Sequence, residues 1–210
     1  MTDEEFTGRA RTLAEIAPND SVTVPTLAGE GGRFTDGPPL SEPPVSYLEP
    51  AESPAFVLAN TKRGIGLGSK RNTVTPGTDR ETLVLVTGRR TLCLVGGETD
   101  DEVIEIPHES IATASYRTGF RAHRLALQTP RNSYHCWVNP KTDEDLLAAA
   151  TTFIEERKPE TPESIDGDDD ASRIMYRGQP VKRDTESAET VPSGEKQTVM
   201  YRGRPVDDGE

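Results

Sequence analysis

The sequence predicts a mainly β protein of the α+β class. About seven short strands form a bent sandwich or partly open barrel, capped by a C-terminal helix and flanked by a short N-terminal helix and disordered tails. Three observations predict it. Short runs rich in Val, Ile, Leu and Thr recur between residues 55 and 139, punctuated by Gly, Pro and Asn. A single amphipathic stripe follows, from Thr142 to Arg157. Outside these limits the chain is rich in Gly, Pro and acid, the composition of linkers and tails.

Residues 1–17 read as an amphipathic helix. Thr2 and Glu5 have capping-box spacing, Phe6, Ala10, Leu13, Ala14 and Ala17 share a face, and Pro18 ends it. Residues 18–46 read as a Gly/Pro-rich extended linker with at most one short strand, "SVTVP". The domain itself is expected over 47–157. Its strands are "AFVLAN" (55–60), "GIGLG" (64–68), "TLVLVT" (82–87), "TLCLV" (91–95), "EVIEIP" (102–107), a weaker "IATASYRT" (111–118), "HRLALQT" (123–129) and "SYHCWVN" (133–139). Gly88-Arg89-Arg90 turns the first hairpin and Pro130-Arg131-Asn132 the second. Alternation in that second hairpin puts Leu125, Leu127, Tyr134, Cys136 and Val138 on the buried face. In the closing helix Thr142 caps, with Asp145 three residues on, and Leu146, Leu147, Ala150, Phe153 and Ile154 form the apolar stripe.

Residues 158–210 read as an acidic, disordered tail carrying a repeat. "IMYRGQPV" (174–181) and "VMYRGRPV" (199–206) agree at six of eight positions. Each box suits a short hairpin or a peptide that docks as an added strand. Tyr176, Arg177, Gly178, Tyr201, Arg202 and Gly203 are the tail's candidate partner contacts.

Charge is partitioned along the chain. Residues 1–44 carry 3 basic and 8 acidic side chains, 45–157 carry 13 and 15, and 158–210 carry 8 and 13, within a net charge of −12. Of the 24 basic residues, 18 are Arg and 6 are Lys. This acid-rich, Lys-poor composition resembles that of proteins from salt-loving archaea, where a Debye length of roughly 3 Å at 1 M salt weakens repulsion among carboxylates. The acidic tails argue against free nucleic acid as a partner. Cys93 and Cys136 lie in apolar runs, which suits buried thiols in a reducing compartment better than a disulfide scaffold. With an acidic N-terminus and no apolar run near the ~20 residues of a membrane span, the expected location is cytoplasmic.

The stretch "TKRGIGLGSKRNT" holds two basic pairs around Gly64, Gly66 and Gly68. A P-loop needs two glycines separated by four residues, then Lys and Ser or Thr at the start of a helix. Here Ser69 precedes Lys70 and no helical pattern follows, so the stretch reads as a glycine-rich strand to which another chain segment comes close. Lys62, Arg63, Lys70 and Arg71 are then candidate ligand contacts, as are Arg89 and Arg90. None of His108, His123 and His135 has metal-ligand spacing, and no nucleophile elbow is present. No metal, cofactor or catalytic activity is expected. His108 is expected to face solvent or a loop.

Val86-Thr87-Gly88-Arg89-Arg90 followed by Ile106-Pro107-His108-Glu109-Ser110-Ile111, then the second hairpin and the helix, resembles prokaryotic pleckstrin-homology-like domains of the YokE-like type. His108 stands where that family commonly has Tyr. The resemblance covers roughly 47–157 and implies a seven-stranded bent sandwich that serves as a binding scaffold. In eukaryotic relatives the loop joining the first two strands receives phosphoinositides, and "AFVLAN" and "GIGLG" would be those strands here. The tail boxes bear a slighter likeness to a small domain of unknown function built on Tyr-Arg-Gly-x-x-Tyr, with Val181 and Val206 replacing its last aromatic. The expected function is a non-catalytic binding or scaffold module that recognises an acidic peptide or protein partner. The alternative is attachment to anionic headgroups at a membrane surface through Lys62, Arg63, Lys70 and Arg71. Self-association through exposed sheet edges is a further option.

Overall fold

The strand runs fold into two antiparallel sheets that face each other. The computed structural model describes residues 3–30, 38–60 and 62–159, together with four two-residue strands in the tail. Strands β1 (Pro54–Asn60), β4 (Thr82–Thr87), β5 (Arg90–Val95) and β6 (Glu102–Pro107) form the first sheet, in the order β1-β4-β5-β6. Strands β2 (Ile65–Leu67), β3 (Thr73–Val74), β7 (Thr113–Arg117), β8 (His123–Gln128) and β9 (Ser133–Val138) form the second, in the order β3-β2-β9-β8-β7. At one corner the sheets are tied by Asn139 N–H donating to Ala59 C=O at 3.0 Å. At the other corner β6 and β7 belong to different sheets, so the barrel stays partly open.

Side chains alternate along β1, β4 and β5 between two cores. Phe56, Leu58, Val84, Val86, Cys93 and Val95 point between the sheets, where they meet Leu125, Leu127, Cys136 and Val138. Helix α3 (Glu144–Glu155) covers this core with Leu147, Ala150 and Ile154, and Phe153 meets Phe56 edge-on at 5.3 Å. Asp143, not Thr142, is its cap, accepting from Asp145 N–H at 3.0 Å. An Asp carboxylate at this position also suits the positive end of the helix dipole.

The residues expected to be a linker build the second core. Val57, Ala59, Leu83, Leu85, Leu92 and Leu94 point out of the first sheet and are covered by Ala10, Leu13, Leu27, Leu40, Val45 and Leu48. The cover consists of α1 (Asp3–Ile16), α2 (Val24–Ala28) and a 3₁₀ turn, Pro44–Tyr47. "SVTVP" is therefore not a strand. Thr23 caps α2 by accepting from Thr26 N–H, Pro25 sits in its first turn, and Gly29 closes it at φ +71°. Arg9 fastens α1 to the 3₁₀ turn by donating to the carbonyls of Val45 at 3.1 Å and Leu48 at 3.0 Å. Thr2, the expected cap of the first helix, lies outside the described residues.

"GIGLG" does not pair with "AFVLAN". It crosses to the second sheet as β2, where Ile65 registers with Cys136 and Gly66 with His135. The unexpected β3 then pairs back on β2 through Ile65↔Val74 and Gly66↔Thr73. The glycines are explained by this crossing. A Cβ on Gly64 would lie 1.5 Å from the carbonyl oxygen of Val74, and Gly68 turns the hairpin at φ +70°.

In the tail, β10 (Met175–Tyr176) pairs antiparallel with β11 (Gln179–Pro180), and β12 (Met200–Tyr201) pairs with β13 (Arg204–Pro205). The registers are the same, Met175↔Pro180 and Met200↔Pro205. Arg177, Gly178, Arg202 and Gly203 lie outside the described residues, as does most of the expected disordered tail.

Candidate functional site

Lys62, Arg63 and Lys70 converge because β2 changes sheets. All three lie in the connection from β1 to β4, and the β2–β3 hairpin within it extends the second sheet alongside β9. Asn60 Oδ1 accepts from the backbone N–H groups of Lys62 and Arg63, each at 2.9 Å, which fixes the start of the loop. The three cations then line a concavity of about 360 Å³ with Thr73, Thr75 and Trp137. The Arg63 guanidinium lies 4.6 Å from the Trp137 ring centroid. Arg124 stands on the ring's other neighbour strand, 6.0 Å from the same centroid and in direct register with Trp137.

None of Lys62, Arg63, Lys70 and Arg124 forms an ion pair with a described carboxylate. The cations act on their surroundings. His135, beside Gly66, titrates below its ordinary range because it is partly buried and because Arg124 and Lys70 are near. Arg71 is exposed on the same hairpin turn and does not line the concavity.

Arg89 and Arg90 stand elsewhere and are already partnered. Arg90 donates to Glu52 at 2.7 and 3.0 Å and pairs with Glu105 at 2.7 Å. Hydrogen bonding to Glu52 leads the effects that raise its pKa above the ordinary arginine value. Arg89, largely exposed, pairs with Glu49 at 3.0 Å. Both border a mixed-charge depression with Glu105, Glu109, His108 and Arg157. The cations there are balanced by carboxylates.

His108 does not face solvent. It is 2% exposed, within hydrogen-bond distance of Thr91 (Nε2 to Oγ1, 3.0 Å). Burial first, and then the Arg157 charge, push its pKa down to about 4, so it is a neutral core residue near neutral pH. His123 is buried too and accepts from Gly119 N–H through Nδ1 at 3.1 Å. Among the described residues no group of His, Cys, Asp and Glu could hold a metal ion.

Trp137, Arg124, Thr73 and Thr75 were not among the residues expected to form the site. A signal for two of them existed. If Leu125 and Cys136 point inward, alternation sends Arg124 and Trp137 out on the same face as cross-strand neighbours. The threonines depend on β3, too short to leave a periodic signal.

No family model matches the chain, and no curated protein matches it. Among solved structures the chain is similar to a Vps36 N-terminal PH domain, at 16% identity, covering 60% of this chain and 90% of that one, with a TM-score of 0.40.

Proposed function

We propose that this chain is a cytoplasmic, non-catalytic binding module whose concavity around Trp137 takes an acidic segment of a protein partner. The observation that carries the reading is that Lys62, Arg63 and Lys70 line one concavity with Trp137, with Arg63 and Arg124 both over the Trp137 ring and no described carboxylate pairing with any of these four cations. Carboxylates suit such a site because guanidinium groups bind them in a two-pronged geometry, and the Trp137 ring holds the Arg63 guanidinium at the concavity. Recognition of acidic motifs by arginine clusters follows the same chemistry. The tail boxes add a second mode of contact, since two equal hairpins on one chain favour a partner with two equal sites.

The test separates three outcomes by affinity capture in moderate and in molar salt. An immobilised Glu/Asp-rich peptide is expected to retain the full chain and a chain ending at residue 159. It is expected to lose both when Lys62, Arg63 and Lys70 are changed to Glu. Retention that instead follows anionic lipid vesicles would transfer the site to a membrane surface. A chain that gains peptide binding only after the tail is removed would show that the concavity is filled by the protein's own acidic tail.

A further inference from the structure

We infer that Cys93 and Cys136 form an inter-sheet thiol pair that accepts a disulfide, giving the domain two covalent states. The sulfur atoms lie 3.5 Å apart although 43 residues separate them. Cys93 is in the middle of β5, registered between Val84 and Ile104, and Cys136 is on β9 between Ile65 and Leu125. They come from opposite sheets and meet in the central core, where each is fully buried. A bond between them would staple the sandwich across its middle. The sulfurs need to approach by about 1.5 Å to reach the ~2.05 Å of a disulfide.

The chemistry balances with a small disulfide as oxidant. One thiolate attacks the oxidant's S–S bond and forms a mixed disulfide, releasing one thiol. The second cysteine attacks that mixed disulfide and releases the other. The protein gives up two electrons and two protons, and the oxidant becomes two thiols. Neither cysteine is accessible in the closed domain, and hydrogen bonding to Cys136 together with burial pushes the Cys93 thiol well above its ordinary range. Exchange therefore runs through opened states, and the bond once formed is sheltered from reductant.

The experiment measures the equilibrium between the full chain and a glutathione/glutathione-disulfide buffer. The chain is refolded from denaturant within that buffer, so that access does not limit the reaction, and a parallel sample stays in concentrated guanidinium chloride. Both are quenched by alkylation and read by mass. The effective concentration of one cysteine for the other should be on the order of 10²-fold higher in the folded sample, because a disulfide that fits the fold is favoured by as much as it stabilises it. The product should be a monomer lighter by two hydrogens, with a higher unfolding midpoint than the reduced chain. An effective concentration equal to or below that in denaturant would overturn the inference. So would glutathione adducts or intermolecular dimers as the only oxidised products, or a lower midpoint for the oxidised monomer. Cys93→Ala and Cys136→Ala chains identify the bond, and persistence of the two-hydrogen loss in either would also overturn it.

Discussion

Arg90 and Glu52 lie 2.7 Å apart in an almost closed pocket at the β4–β5 turn, with their side chains 14% and 3% exposed. Thr87 adds a hydroxyl donor to Glu52 at 2.8 Å, and the Glu49 N–H adds another at 3.1 Å. One basic position of the "TGRRT" turn is thus part of the framework.

Removing Glu52 should unfold the corner rather than alter binding. Glu52→Ala leaves a guanidinium with little solvent and Glu105 as its one close carboxylate, and should cost about 1–3 kcal/mol. Urea unfolding at pH 7 measures this. Burial alone would raise the Glu52 carboxyl, but Arg90, the Glu49 N–H and Thr87 outweigh it and hold it below its ordinary 4.5. The stability this contributes is fully present above 4.5 and is lost as pH falls through the lower folded value.

His108 governs a different pH window. Its folded pKa of about 4 lies below the ordinary 6.5, so the unfolded chain binds the proton more readily. Stability is complete above pH 6.5 and falls as pH drops from there towards 4, by roughly 3 kcal/mol in all. Unfolding midpoints at pH 7.5 and 5 should differ in the native chain and differ much less in His108→Gln. Equal pH dependence in both would remove His108 as the cause.

Gly64 tests why the loop holds glycines. Gly64→Ala would drive a Cβ into the Val74 carbonyl, so β3 must detach or the loop must move. A loss of roughly 2 kcal/mol or more is expected, together with loss of the concavity formed by Thr73 and Thr75. Hydrogen exchange at Gly66 and Val74 should rise first, because β2 and β3 are short and β3 is the edge strand. Unchanged exchange there would contradict the close-approach account.

The parts of this fold with regular periods were legible. The hairpins and the α3 stripe are written in alternation and in 3.6-residue spacing, and they appear where expected. The cover over the first sheet was hidden because Leu27, Leu40 and Val45 are scattered among Gly and Pro, and a five-residue helix such as α2 has no period to detect. A clue lay in the strands themselves. "TLVLVT" and "TLCLV" are apolar on both faces, which a strand open to water on one side would not be. His108 was misplaced for a related reason. The Ile-Pro box reads as a turn, and only the Thr91 hydroxyl across β5 shows that the turn is folded inward. In the site, the basic residues were visible as a cluster, whereas their convergence on Trp137 depends on the sheet crossing of β2, which no local pattern encodes.

The most direct test of the central claim uses Trp137, the chain's single tryptophan. Its emission is followed while a Glu/Asp-rich peptide is titrated into the full chain. The account predicts a saturable change, with affinity reduced at least about tenfold in a Lys62→Glu/Arg63→Glu/Lys70→Glu chain. Arg89→Glu should bind as the native chain does. A flat titration, or the same curve from the triple variant, would contradict it.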